Sequence, residues 1–416
     1  MQPANALLPR EGFVPERLLA PQQALVAYFA RVAVTRPAIE RVALESAAGR
    51  VLAEAIAADG DYPAVRRSAM DGFALDSRAA PATFEIAGEV RMGRAGADRV
   101  EAGKAMRVPT GGAVPEGADA VVPIEDAVVT GTAVTVRERI DTGENVIPAG
   151  ADMRRGEPLL PAGLRLGARH LGLLATVGLA SVNVYRRPVV AVISSGDELV
   201  AVDAPLRPGE VRDSNRYVVA ASLEAMGAQA RHYPTLVDED EAFRAALTSA
   251  LDECDAVVLT GGSSVGDRDR LPAAVAAVGA PGVVVHGLRV KPGKPTLLGA
   301  RGGKPVIGLP GNPSSALMML EAVGAPVVAS LTGENFAPVP PVTARLAEAV
   351  RGRQGWTWYV PVALRNEAGT LVAQPLALRS FSVSLTVRAG GYVVIGERDV
   401  ERPADSSVAV HRFLGG

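Results

Sequence analysis

The feature that most narrows the fold is an alternation between residues 188 and 334. Four apolar runs of strand length, 188–193 (PVVAVI), 255–260 (DAVVLT), 282–286 (GVVVH) and 305–309 (PVIGL), alternate with helical patterns at 215–227, 239–253, 270–278 and 313–331. A strand with water on one face alternates apolar and polar residues. These runs do not, so both of their faces must be covered. Buried strands separated by helices call for a doubly wound, mostly parallel α/β sheet. In such sheets ligands bind beyond the carboxyl ends of the strands, so the loops after the runs carry the functional weight.

Three of those loops share a chemistry. Ser194-Ser195-Gly196-Asp197-Glu198 follows the first run. Gly261-Gly262-Ser263-Ser264-Val265-Gly266-Asp267-Arg268-Asp269 follows the second. Pro310-Gly311-Asn312-Pro313-Ser314-Ser315 follows the last and opens a helix. Glycine lets backbone N–H groups approach a ligand and point at it. A helix start adds free donors and the positive dipole end, which suits phosphate or another oxyanion. Asn312 and Pro313 fit the N-cap and first helical position. Turn chemistry alone explains any one such loop, but not three on one sheet edge.

Carboxylates sit in two of these loops: Asp197 and Glu198 in the first, Asp267 and Asp269 in the second. Asp213 and Asp238 follow neighbouring elements. Acids beside anion-binding amides repel the ligand unless a cation intervenes, as Mg²⁺ does between carboxylates and phosphates. For any single acid, a solvated loop position is the plainer alternative. Lys291-Pro292-Gly293-Lys294-Pro295 is a tight turn with two ammonium groups, either facing one anion or lying on the surface. Ser68-Ala69-Met70-Asp71-Gly72 and Pro109-Thr110-Gly111-Gly112 are compact polar turns that ordinary turn chemistry explains equally well.

The rest of the chain divides by pattern. Residues 21–34 read as an amphipathic helix with Pro21 near its start, and 40–57 as a second helix. From about 60 to 150, short β-like runs such as 83–90, 105–109, 119–124 and 132–140 lie between turns. A helical pattern returns at 164–180. Beyond the Pro cluster at 338–341, the runs 357–364, 370–376 and 381–387 alternate with a period near two, which fits a small C-terminal β-barrel. The expected layout is therefore a helical linking region of 21–58 plus 151–184, an inserted β-rich domain at 59–150, the α/β domain at 185–335 and a β domain at 336–416. The first helix is free to pack on the α/β domain.

Composition excludes several functions. With 43 basic against 45 acidic residues and no basic stripe, nucleic-acid binding is disfavoured. The one cysteine, Cys254, rules out an internal disulfide and a Cys-based zinc cage, and reads as a buried structural thiol. The four scattered histidines form no H-E-x-x-H or H-x-H pattern. The chain opens without a signal-peptide pattern, and its longest apolar stretch, 314–333, contains Glu321 and Pro326. A cytoplasmic protein without a membrane span is expected.

Eight segments in order resemble the MoeA-type molybdopterin molybdenumtransferase family, to which the E domain of gephyrin is related. They are SAMDG at 68–72, PTGG at 109–112, PEGADAVVPIE at 115–125, SSGDEL at 194–199, GEVRDSN at 209–215, GGSSVGDRD at 261–269, KPGKP at 291–295 and LPGNP at 309–313. The resemblance implies a four-part subunit forming a homodimer, with a central domain like that of the molybdopterin adenylyltransferase, itself a possible partner. It implies a transferase that takes adenylated molybdopterin and molybdate, inserts molybdenum at the dithiolene and releases AMP with the help of Mg²⁺. It assigns metal and phosphate handling to Glu198, Asp238 and Asp269. Ligand binding falls to Ser194, Gly196, Asp197, Gly261, Gly262, Ser264, Lys291, Lys294, Pro310, Asn312 and Pro313, with Asp71 and Thr110 supplied by the other subunit.

The chain also departs from the family. Val146-Ile147 follow Gly143-Glu144-Asn145, where the family often has Arg. The family's Arg-rich C-terminal strands and Ser-Gly pair are replaced by Gly355-Trp356-Thr357-Trp358-Tyr359-Val360-Pro361 and Ser380-Phe381. On a period of two, Trp356 and Trp358 share a strand face, where they stack on a ligand or cover a domain contact. These changes keep a second reading open: a non-catalytic or altered-specificity paralogue that binds molybdopterin or a partner protein. Another enzyme on the same α/β domain, such as the adenylyltransferase or a CinA-like hydrolase, fits the SAMDG and KPGKP segments less well.

Overall fold

The computed structural model describes residues 18–93, 99–237, 239–261, 270–377 and 382–413. They fall into two compact units. One comprises 1–53, 163–167 and 181–416; the other comprises 54–162 and 168–180.

The larger unit is built on a six-stranded mixed sheet. Its spatial order is Gln229–His232, Val189–Ser194, Ala256–Thr260, Lys304–Leu309, Leu297–Arg301 and Pro281–His286. The first four strands are mutually parallel, and only Leu297–Arg301 runs against the rest. The sequence pattern missed this antiparallel strand, because Leu297-Leu298-Gly299-Ala300 is a short buried run between two turns.

The continuous apolar runs are explained by burial on both faces. In Val189–Ser194, Val190 and Val192 join one core, with Val219 and Leu223 of the helix Asn215–Ala225 and with Met319, Val323 and Val327. Ala191 and Ile193 join the opposite core, with Phe243, Leu247 and Leu251 of the helix Asp240–Glu253. Alternate residues of a strand face opposite ways, so every position is apolar when both faces are covered. Cys254 closes the latter helix and is buried in the second core. The helix Pro21–Arg31 packs Ala24, Leu25 and Tyr28 into the first core. Among the described residues one helical stretch, Pro313–Thr332, is long and apolar enough to cross a membrane. Its most apolar window is 78% buried inside the protein, as a core helix is.

Residues 40–57 are not a helix. Ile39–Ala43 is a strand paired antiparallel with Ser181–Tyr185, and a 3₁₀ turn, Leu44–Ser46, follows it. Gly49 then takes a left-handed φ of 73°, and Ile56–Ala57 is again extended. Pairing with a partner about 140 residues away overrides a local helical spacing, which is only a weak prior. The helical pattern at 164–180 shrinks to Ala168–Thr176, because Leu164 and Leu166 bond to Leu52, Gly49 and Arg50 instead. The expected linking region thus keeps two short helices, Pro21–Arg31 and Ala168–Thr176, between short strands and turns.

The C-terminal part of the larger unit is a closed five-stranded barrel. Val342–Leu346, Thr357–Glu367, Thr370–Pro375, Gly391–Ile395 and Ser407–His411 pair in a ring, which the contact between Thr357–Glu367 and Gly391–Ile395 completes. Leu346, Val360, Val362, Ala373, Val393, Ile395 and Val410 fill it. The expected strand at 381–387 is a short helix, Val383–Arg388, of which only Leu385 is buried. Phe381 lies outside the described residues.

The smaller unit carries a six-stranded sheet in the order Ala120–Pro123, Gly72–Leu75, Lys104–Val108, Ala82–Glu89, Ala133–Val136 and Ala127–Thr130. Phe73 and Leu75 enter one core and Ala74 the other, the same two-sided burial on a smaller scale.

Arg165 pins the short segment 163–167 into the larger unit. Its guanidinium donates to both carboxylate oxygens of Glu334 (3.0 and 2.5 Å), to Gly49 O (3.0 Å) and to Met226 O (2.6 Å). Removing a partly buried charged donor leaves several acceptors unsatisfied. Arg165→Met should therefore destabilise the larger unit by about 2–3 kcal/mol, lowering its thermal midpoint in calorimetry. An unchanged midpoint would mean that water replaces these bonds without loss.

Candidate functional site

The three Gly-rich loops leave adjacent strands at equal height. Ser194 lies opposite Thr260, and Thr260 opposite Leu309. At the ends of these strands the backbones approach as closely as glycine allows. Gly261 has φ +88°, and a Cβ there would fall 2.2 Å from Ser195 O. A Cβ on Gly311 would lie 3.6 Å from the Gly261 Cα. Gly311 O accepts from Nδ2 of Asn215 (2.7 Å), which draws the start of the helix Asn215–Ala225 into the same crossing. The strand–loop spacing had identified the loops. It had given no role to Asn215, although the residue lies within the GEVRDSN segment.

The residues singled out from sequence distribute as follows. Ser194 is buried, and its hydroxyl accepts from Thr260 Oγ1 at 3.3 Å. Gly196 is buried, and its N–H donates to Leu236 O at 3.3 Å. A Cβ on Gly196 would lie 2.8 Å from the carboxylate of Glu198, so that side chain folds back over the loop. Asp197 and Glu198 are both exposed. Pro310 is buried, and Gly311 and Asn312 are exposed. Asn312 does occupy the N-cap and Pro313 the first helical turn. Gly262, Ser264, Asp267 and Asp269 lie outside the described residues, as does Asp238.

Three further side chains at this edge are more than nine-tenths buried, and each carries an oxygen with no hydrogen-bond partner among the described residues: Ser195 Oγ, Asp213 Oδ2 and Asn215 Oδ1. The other Asp213 oxygen accepts from the Arg216 N–H at 3.2 Å. Native interiors leave few such atoms, and those that remain concentrate where function demands them. Among the described residues no group of three His, Cys, Asp or Glu side chains converges as a metal site. The carboxylates at this edge offer oxygen ligands alone, the kind that Mg²⁺ takes.

The KPGKP turn lies where Val290–Lys291 pairs in parallel with the barrel strand Thr357–Glu367. Gly293 adopts φ +107° against Met319, where a Cβ would fall 2.2 Å from Cγ. The Lys291 ammonium sits 4.1 Å from the centroid of the Trp358 ring. Trp356 is not its companion on the strand face. It lies in the turn immediately before the strand, with the Arg353 guanidinium 5.3 Å from its ring centre.

In the smaller unit, the two polar turns that sequence alone left ambiguous meet. One oxygen of Asp71 accepts from the Thr110 N–H (2.7 Å) and from the Thr110 hydroxyl (3.0 Å). The backbone bond first, then the hydroxyl bond, and to a lesser degree the charge of Arg107, hold the exposed carboxyl below the ordinary carboxylate value.

Two predictions follow from this geometry. Gly261→Ala meets both a left-handed φ and the Ser195 carbonyl. It should cost more than the ~1–3 kcal/mol of backbone strain alone and lower the thermal midpoint. Gly209→Ala, with φ +95° and open space around it, should show only the strain. Equal midpoints for the two variants would refute the close crossing. For Asp71 the folded pKa is depressed, so its bonds contribute above the unfolded pKa and are lost as pH falls through the folded one. Thr110→Val should raise the Asp71 midpoint toward the ordinary value in a carboxyl-carbon NMR titration. An unmoved midpoint would show that the hydroxyl bond is absent in solution.

Comparison with known proteins agrees with this arrangement. The MoeA N-terminal region (domain I and II) matches residues 19–178, and a probable molybdopterin binding domain matches residues 191–330. A molybdopterin molybdenumtransferase of Bacillus subtilis (strain 168) is 34% identical over 368 residues, covering 86% of this chain and 85% of the relative. One from Haemophilus influenzae is 33% identical over 387 residues, covering 90% and 94%. The crystal structure of a molybdopterin biosynthesis MoeA protein from Pyrococcus horikosii superposes with a TM-score of 0.79 at 30% identity, covering 96% of this chain and 100% of that one. With the sheet-edge loops, the KPGKP turn and the closed barrel in place, the chain belongs to the MoeA family of molybdopterin molybdenumtransferases.

Proposed function

We propose that this protein is a molybdopterin molybdenumtransferase of molybdenum cofactor biosynthesis. It takes molybdate and adenylated molybdopterin as substrates, inserts molybdenum at the dithiolene and releases AMP. The observation that carries the reading is the meeting of three Gly-rich loops at one sheet edge, with Asn215 bonded to Gly311 across them. Backbone amides and a helix start at such an edge suit the phosphates of the substrate. Molybdenum bonds to substrate sulfur, so the protein needs no Cys or His ligand set. Its task is to position two anions and to offset their mutual repulsion.

In this reading Ser194, Gly196, Asp197, Gly261, Gly262, Ser264, Pro310, Asn312 and Pro313 line the phosphate-binding edge. Lys291 and Lys294 grip the anionic ligand, and Asp71 and Thr110 contribute to substrate binding. Glu198, Asp238 and Asp269 would hold Mg²⁺, which when bound screens the charge between molybdate and the pterin phosphates. The exposed position of Glu198 supports this, since Mg²⁺ keeps part of its water shell. A homodimer in the cytoplasm, supplied with adenylated substrate by a molybdopterin adenylyltransferase, completes the proposal.

The test is AMP release from purified protein given adenylated molybdopterin, Mg²⁺ and varied molybdate. AMP should rise with molybdate, and Asp269→Ala should lower the rate by about 100-fold or more. Unchanged turnover in that variant would overturn the role of Asp269. Tight pterin binding with no AMP from the native protein would favour the altered-specificity paralogue.

A further inference from the structure

We propose that Trp358 is a positioning residue for Lys291: its indole face holds the ammonium in place to receive an oxyanion at the sheet edge. The proposal rests on the reading of Lys291 as an anion-gripping residue. The lysine backbone is already fixed. Lys291 is paired with Trp358 in a parallel ladder, and the Thr357 N–H donates to Arg289 O at 3.0 Å. The Arg289 guanidinium is bonded to Glu397 of the barrel at 2.8 Å. On the other side of the turn, Leu288 N–H donates to Lys294 O at 2.8 Å, and Thr296 donates to Gly293 O through both its N–H (3.1 Å) and its hydroxyl (2.7 Å).

What remains free is the four-carbon side chain of Lys291, which loses much rotamer entropy when it is ordered. The Trp358 ring, 4.1 Å from the ammonium, lies well within cation–π range. A ring covers one side of an ammonium and leaves N–H donors pointing away from it, so indole and oxyanion can hold the group together. The barrel thereby contributes to the α/β site without offering a cation of its own from this strand position, where Tyr359, Val360 and Pro361 follow the tryptophan.

The chain has two tryptophans and seven tyrosines, so Trp356→Phe leaves Trp358 as the only tryptophan, read by selective indole excitation. The probe is molybdate, with sulfate as the comparison, added to the full-length protein. Saturating molybdate should change Trp358 emission, and Lys291→Met should abolish the change. By calorimetry Trp358→Leu should weaken molybdate binding by about two- to five-fold, the range of an exposed cation–π contact. Trp358→Phe, which keeps an aromatic face, should recover most of the affinity.

Native affinity in a folded Trp358→Leu protein, while Lys291→Met loses binding, would reject the indole and leave the lysine reading intact. Native affinity in Lys291→Met would remove the lysine reading and the positioning proposal with it, as would no molybdate binding by the native protein. If Trp358→Leu does not fold, the emission experiment decides. Molybdate that saturates the Trp356→Phe protein without altering its emission overturns the proposal.

Discussion

The close approach of three backbones at the ends of Val189–Ser194, Ala256–Thr260 and Lys304–Leu309 is the constraint on which the site depends. It requires no side chain at Gly261, where a Cβ would meet the Ser195 carbonyl, and it brings Gly311 into van der Waals reach of the Gly261 backbone. The approach is possible because the three strands are neighbours in parallel register, so that their loops leave at one height. That register in turn depends on cores on both faces of the sheet. Shifting a strand by one residue would exchange Val190 and Val192 with Ala191 and Ile193 between two differently shaped cores. Packing energy spread over the whole domain thus fixes a contact between a few backbone atoms.

Around that crossing the polar groups divide by burial. Asp197 and Glu198 are exposed. Ser195, Asp213 and Asn215 are enclosed, with oxygens that no donor among the described residues meets. Asn215 has a second, structural duty, since its Nδ2 is committed to Gly311 O and orients its Oδ1 away from that carbonyl. The KPGKP turn packs Gly293 against Met319 of the helix that follows the third loop, and the barrel holds the turn and the residues before it through backbone pairing, an ion pair and the Trp358 ring.

Much of this was legible in the sequence. The uninterrupted apolar runs implied a sheet buried on both faces, and the Gly-rich loops after them do leave neighbouring strands at one edge. The C-terminal period of two implied the barrel. The segments that misled are informative. Residues 40–57 have helical spacing, yet Ile39–Ala43 pairs as strand with Ser181–Tyr185, and 381–387 has strand spacing, yet Val383–Arg388 forms a short helix. In the first, a partner distant in sequence decided the local conformation. Asn215 stood within a recognisable segment, but its hydrogen bond to Gly311 spans nearly a hundred residues of sequence.

The class of fold and the family could be read from the chain itself, because they follow from local periodicity and from segments rich in glycine, proline and acids. Which loops cross, and that Trp358 meets the Lys291 ammonium while Trp356 lies in the turn before the strand, came from the folded structure. Those outcomes depend on strand order and register. Both are set by how whole faces pack, and no single segment of the chain encodes them.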